Sequence, residues 1–275
     1  MTDPRHRPGF AFGLGTIVGV LAGVIGLGGA EFRLPALVGA LGLTLRQAVP
    51  VNLAASFVVL ATAFPFRLRS VPFADLAPHL PAILGMLAGS MSAAWIGAGM
   101  LRGLSDRLLG RAILILLVAL GLVLIVEGLF VASPHRLIPE GLAITVLTAA
   151  LAGLGIGLVS SLLGVAGGEL IIPLFILVFG VEVKLAGSMS MLVGLPTIAV
   201  GLLRHLRGPT VLRDGPVWRS TILPLAAGSV LGAALGGLVV RLVPGQTLKL
   251  GLGFILIWSA FGVIRHLPDN APPMR

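Results

Sequence analysis

The sequence contains no cysteine, and only 11% of its 275 residues are charged. The first absence excludes disulfides, thiolate metal sites and a cysteine nucleophile. The second excludes a soluble globule, because soluble domains carry about 25% charged residues. Ten acidic and 19 basic side chains are too few to coat a chain of this size. The five histidines, at 6, 79, 135, 205 and 266, show no metal-ligand spacing. No phosphate-binding loop and no hydrolase triad can be assembled, so no metal, no cofactor and no enzymatic activity is expected. What the chain does have is apolar residues, 57% of the total, and 39 glycines. The net charge of +9 comes from cations set singly or in threes between long apolar runs. That spacing fits membrane-flanking loops and argues against a nucleic-acid surface.

The charge-free intervals divide the chain. They cover 8–30, 34–45, 47–66, 76–101, 112–126, 141–168, 170–181, 185–203, 220–240 and 250–264. A spanning helix needs roughly 20 apolar residues. Six intervals meet that directly. The run from 112 qualifies if it continues through Glu127 to Val131, and the last qualifies over Thr247–His266. Eight transmembrane helices are therefore expected, in an all-α membrane protein. The runs 34–45 and 170–181 are half-length. They predict broken or re-entrant half-helices, near residues 26–45 and 164–181, which survive in a membrane only when buried in protein or lining a wet cavity. Counting Lys and Arg by alternate loops puts Arg5, Arg7, Arg67, Arg69, Arg136, Arg204, Arg207, Arg213, Arg219, Arg265 and Arg275 on the N-terminal side against Arg46, Arg102, Arg107, Arg111, Lys184, Arg241 and Lys249 on the other, and predicts both termini in the cytoplasm.

The interval order repeats. An offset of 138 aligns the halves without a gap from Gly15 to Arg69. It pairs Gly26 with Gly164, Gly29 with Gly167, Glu31 with Glu169, Pro35 with Pro173 and Asn52 with Ser190. Farther on, Pro81, Gly85 and Gly89 match Pro224, Gly228 and Gly232 at an offset of 143. Residues 1–131 form a first repeat, 132–140 a linker and 141–275 a second repeat. Duplicated halves are the usual plan of secondary transporters. Four crossings per half make the repeats parallel and five invert them, and the half-length runs leave this open.

The strongest local signals are Gly26-Leu-Gly28-Gly29-Ala30-Glu31-Phe-Arg33-Leu-Pro35 and Gly164-Val-Ala-Gly167-Gly168-Glu169-Leu-Ile-Ile-Pro173. Each is a glycine cluster ending a long apolar run. Glycine permits a helix break. Proline four residues after the glutamate fits the first turn of a new helix. A helix restarting at membrane depth aims its free N–H groups and positive end at a cavity, a geometry that binds anions. Gly28, Gly29, Ala30, Glu31, Gly167, Gly168 and Glu169 are thus candidate substrate-binding residues. Asn52, Ser56, Ser188 and Ser190, on the spans that follow, join them, although hydrogen bonding between helices explains them about as well. Glu31 and Glu169 cost roughly 2.5–3.5 kcal/mol each at membrane depth. Both cap the restarted helix or carry a coupled proton. Arg33 has no counterpart and has three roles open to it: pairing with Glu31, contact with substrate, or snorkelling to an interface. Gly15-xxx-Gly19, Gly153-xxx-Gly157, Gly85-xxx-Gly89 and Gly228-xxx-Gly232 read as helix-packing patterns.

At the Gly164–Pro173 stretch with Phe179–Ser190, and in its looser copy Gly26–Pro35 with Gln47–Asn52, the sequence resembles the TauE/SafE (sulfite exporter) family of membrane anion permeases. The resemblance runs over about residues 10–266. It implies a multi-pass protein of the bacterial inner membrane, with about eight spans in two repeats. It also implies transport of sulfite, sulfonates or related organic anions. A homodimer is an open assembly. A scaffold without transport, an anion channel and an intramembrane enzyme are the competing classes.

Overall fold

A computed structural model describes residues 8–30, 33, 37, 45–100, 114–115, 118–119, 121–122, 124–126, 128–129, 136–163, 167–206 and 218–265. Eight helices are delimited among them: α1 Pro8–Ile25, α2 Leu45–Leu68, α3 Leu80–Met100, α4 Leu142–Leu163, α5 Gly168–Leu177, α6 Val183–Leu206, α7 Leu223–Val239 and α8 Gly245–Arg265. The described positions from 114 to 129 are also helical. A one-turn helix Phe73–Leu76 and a 3-10 turn lead into α3, and a π-helical turn Trp218–Ile222 leads into α7. The described residues include no strand beyond an isolated bridge between Arg136 and Phe179. Six stretches are long and apolar enough to cross a membrane: Pro8–Ile25, Ala48–Leu68, Phe73–Ile96, Leu142–Ser160, Val183–Arg204 and Trp218–Leu242. The chain is an all-α membrane protein. Six of the expected spans coincide with these stretches and the last with α8, and the described positions of the span over 112–131 are helical. At ten residues, α5 is the expected half-helix of the second half, while the run 34–45 lies outside the described residues but for Leu37 and Leu45.

Glycine decides which helices touch. A methyl group on Gly15 would meet the backbone of Leu225 and Ser229, on Gly19 that of Ser229 and Ala233, and on Gly23 that of Ala233 and Gly237. So α1 lies backbone to backbone on α7, and both run the same way. In the other half Gly153 meets Met86, Gly157 meets Ser90, and Gly89 meets Ala150 and Leu154, so α4 lies on α3 in the same manner. All four small-xxx-small patterns therefore serve packing. The two interfaces correspond residue for residue. Gly228 sits against Phe12 and Thr16 as Gly89 sits against Ala150 and Leu154. The contacts equate Gly89 with Gly228 and Ser90 with Ser229, an offset of 139. The offset of 143 read from the sequence is one helical turn out of register. It aligned glycines of the same packing face that recur every four residues.

Each first helix thus packs on a late helix of the opposite half. The directions follow. Ala11, near the start of α1, clusters with Ala48 and Val51 near the start of α2, while Gly23 near its end accepts a hydrogen bond from Arg67 near the end of α2. Hence α1 and α2 are parallel, and the chain must return between them. Gly29 lies against Val18 and Ala22 of α1, whereas Leu37 has reached the Ala11 cluster. In the second half Gly167 lies against Ile156 and Ser160, the same pair of positions at the 138 offset, and α5 carries the chain back to Arg136. Counterparts α2 and α6 run in opposite directions, because Arg67 bonds to Lys184 and Ser188 while Leu53 approaches Gly201. The described helices of the two halves thus run in opposite directions, and the halves are inverted.

This changes the loop count. The face where α1 begins is the amino face, and the opposite one is the far face. Arg67, Arg69 and Arg136 belong to the far face with Lys184 and Arg241, and not to the N-terminal side. Alternate counting placed them wrongly because it omitted the returning segments. The start of α1 and the end of α8 still share a face. Gly245 opens α8 beside Glu182 on the far face, and Gly253 meets Gly121 on the way back.

Candidate functional site

The first break begins where α1 stops. Gly26 and Leu27 both donate their N–H to the Ala22 carbonyl, at 2.8 and 3.0 Å, and Gly26 then takes φ +100°. Gly29 takes φ +70°. Only glycine adopts such values without penalty. A broken helix leaves its last carbonyls without intrahelical donors, and inside a membrane each needs another partner.

Those partners are the polar residues of the spans. Arg67 Nη1 donates to Gly23 O at 2.9 Å and to Val24 O at 2.7 Å. Ser190 Oγ donates to Gly26 O at 2.7 Å. Arg33 Nη2 donates to Gly28 O, and Asn52 Nδ2 to Ala30 O at 3.0 Å. Arg33 in turn is held by Asn52 Oδ1, 3.2 Å from its Nε, and by Ser56 Oγ, 2.6 Å from Nη2. Ser188 Oγ accepts from Arg67 Nε at 2.9 Å and donates to Lys184 O at 3.3 Å. The structure therefore brings Gly26, Gly28, Gly29, Ala30, Asn52, Ser56, Ser188 and Ser190 together around one break. Their hydrogen bonds to each other and to backbone are in place.

Arg33 and Arg67 are both fully buried, at 0% exposure. Snorkelling is overturned for Arg33: its guanidinium is enclosed by the break and by α2. Pairing with Glu31 falls on a residue outside the described set, as do the expectations for Pro35 and Gly164. The side chain of Gln47 is not described either. Arg67 is the residue that sequence reasoning missed. It reads as a loop cation beside Arg69, but α2 continues to Leu68 and keeps it inside the helix. The signal available was the break itself, whose orphan carbonyls require strong donors from a neighbouring span.

The second break ends at Gly167, which takes φ +74° and stands as N-cap of α5. Leu170 and Ile171 donate to its carbonyl at 3.0 and 2.9 Å. Glu169 lies in the first turn, 6% exposed, where a carboxylate favours the positive end of the helix. Pro173 is not in the first turn as expected. The helix starts at Gly168, so Pro173 lies within it. It brings no N–H to the Glu169 carbonyl four residues earlier. The two breaks abut. A methyl on Gly168 would lie 3.3 Å from the Leu27 side chain and 3.5 Å from Gly26 O, and Gly26 itself packs on Gly187.

Two buried guanidinium groups, hydroxyls and a helix start with an adjacent carboxyl thus surround one junction. Guanidinium groups, hydroxyls and helix starts are the kinds of group that can replace the water around a small anion. Among the described residues no group of three His, Asp or Glu could hold a metal ion.

The model of the family described as Sulfite exporter TauE/SafE matches residues 2–124. The match thus covers the half carrying Gly26–Pro35, and not the Gly164–Pro173 stretch expected to carry the resemblance best. No curated protein and no solved structure matches the chain.

Proposed function

We propose, with the TauE/SafE match as premise, that this multi-pass membrane protein is a secondary permease of a small anion, sulfite or an organic sulfonate being the class. The observation that supports it most is the fully buried Arg33 guanidinium, set beside the junction of two helix breaks. A cation at such depth costs several kcal/mol on insertion scales. Residues of this kind mark substrate pathways in membranes, and an arginine fork matches the oxygens of sulfite or a sulfonate. The substrate site comprises Gly28, Gly29, Ala30, Glu31, Asn52, Ser56, Gly167, Gly168, Glu169, Ser188 and Ser190, between the repeats 1–131 and 141–275 joined by residues 132–140. Asn52, Ser56, Ser188 and Ser190 both brace the breaks and face the anion. Glu31 and Glu169 are the candidate proton carriers, since a carboxyl beside a bound anion gains from taking up a proton. The protein is a transporter and not an enzyme.

The inner membrane of a bacterium is the expected location, with both termini cytoplasmic. The sequence segments attached to the amino-face helix ends carry Arg5, Arg7, Arg102, Arg107, Arg111, Arg207 and Arg213, against Arg69, Arg136, Lys184 and Arg241 on the far face. The excess on the amino face suits the cytoplasm.

Uptake into proteoliposomes tests the reading. Sulfite, sulfoacetate, taurine, thiosulfate, sulfate and lactate are offered in turn, with and without a pH gradient. Saturable uptake of at least one sulfur anion is expected. Flux that does not saturate indicates a channel.

A further inference from the structure

We infer that the parts that move during transport are two helix-swapped bodies, and not the two sequence halves, and that Arg67 is the latch joining them on the far face. The inference rests on the transport reading above. One body is α1, α2 and α7, and the other is α4, α6 and α3. Each takes two helices from one half and one from the other.

The division follows from the kind of contact. In the first body α1 and α7 meet backbone to backbone through Gly15, Gly19, Gly23, Gly228, Gly232 and Gly236, and α7 meets α2 where Gly237 lies against the Ala63 carbonyl. In the second α3 and α4 meet through Gly85, Gly89, Gly153 and Gly157, and Ser90 of α3 is bonded to Thr197 of α6. Interdigitated backbones of this closeness cannot slide without lifting apart. Between the bodies α2 and α6 meet through larger side chains, Leu53, Val59 and Leu60 against Met191 and Ile198, and the close backbone approach of Gly187 to Ile25 and Gly26 lies at the far-face end, beside the Arg67 guanidinium. Side-chain layers can repack by changing rotamer.

Arg67 crosses that interface. Its Nη1 holds Gly23 and Val24 of its own body, while its Nε holds Ser188 and its Nη2 holds the Lys184 carbonyl at 2.9 Å in the other. The bodies cannot part on the far face while these bonds stand. The sequence does not repeat these residues at the counterpart positions on the amino face. The 138 offset places His205 where Arg67 stands and Pro50 where Ser188 stands, and proline has no side-chain acceptor. The latch is therefore not duplicated by the repeat, although α2 and α6 are symmetric counterparts.

Because the chain has no cysteine, single-cysteine reporters test this without background. Ser190→Cys reports the path to the far face, Ala55→Cys the amino side of α2, and Ala149→Cys the α3–α4 interface, where Ala149 is buried against Gly85. Each is labelled in membrane vesicles with an impermeant methanethiosulfonate, in the parent, in R67K and in R67Q. We expect R67Q to raise labelling at 190 from the far face at least tenfold and to slow labelling at 55 from the amino face. R67K should fall between. Position 149 should stay protected throughout. Unchanged labelling at 190, or a rise at 190 and 55 together, overturns the latch. Labelling at 149 overturns the division into bodies. None of these readouts needs substrate flux. A failure of the transport reading therefore appears in the uptake assay alone, and a failure of the latch appears in the labelling alone.

Discussion

The hydroxyls of Ser90 and Thr197 lie 2.8 Å apart, both buried, joining α3 to α6. The inverted counterparts of this pair are Ser229 and Val59, and Ser229 Oγ is buried without a hydrogen-bond partner. The same substitution should then act oppositely at the two sites. Ser90→Ala removes a bond between helices and should cost about 0.5–1.5 kcal/mol. Ser229→Ala removes an unsatisfied hydroxyl and should be neutral or stabilising by up to about 1 kcal/mol. Thermal unfolding in detergent compares them. A larger loss for Ser229→Ala would contradict the assignment.

Glycines that look alike in the sequence should differ under substitution. A methyl on Gly89 would strike the Ala150 carbonyl, whereas one on Gly155 would have nothing within 4 Å. Gly89→Ala should destabilise by about 1–3 kcal/mol, as overpacking does. Gly155→Ala should stabilise by up to about 1 kcal/mol through helix propensity. Detergent melting curves again decide, and equal effects would refute the α3–α4 interface.

Arg33 should govern affinity more than folding charge balance alone would suggest. Arg33→Lys keeps the charge but loses the fork that spans Gly28, Asn52 and Ser56. At least a tenfold rise in the KM for the transported anion is expected for Arg33→Lys, with transport lost in Arg33→Gln. A KM unchanged in Arg33→Lys would place the anion elsewhere.

Glu169→Gln separates helix capping from proton coupling. Glutamine keeps the shape but carries no titratable proton. If Glu169 carries the proton, the variant retains anion exchange between equal concentrations and loses uptake driven by a pH gradient. If the carboxylate only favours the helix start, both survive and the stability loss is about 0.3–1 kcal/mol.

Much of this was legible because glycine and proline repeat where the backbone does something special. Gly29 and Gly167, matched at 138, both adopt positive φ and both lie against the same two positions of the preceding helix. The spans were legible from charge spacing. What the sequence hid was direction. A ten-residue helix such as α5 gives no hint that it carries the chain back across, so the parity of the halves stayed open. Register was hidden where the cue was itself periodic: glycines four residues apart align equally well one turn out, which is why 143 stood in for 139. Arg67 was hidden because its neighbours Arg69 and Ser70 belong to a turn, while its own position is set by the length of α2.

If the abutting breaks form an anion site around Arg33, transport depends on that guanidinium. The most direct measurement is uptake of radiolabelled sulfite and of a small sulfonate into proteoliposomes, run side by side for the parent and for Arg33→Gln at equal incorporation. Saturable uptake of at least one of them is expected for the parent, and none above empty liposomes for the variant. Uptake that survives Arg33→Gln with unchanged KM, or no saturable flux of any anion by well-folded parent protein, would contradict it.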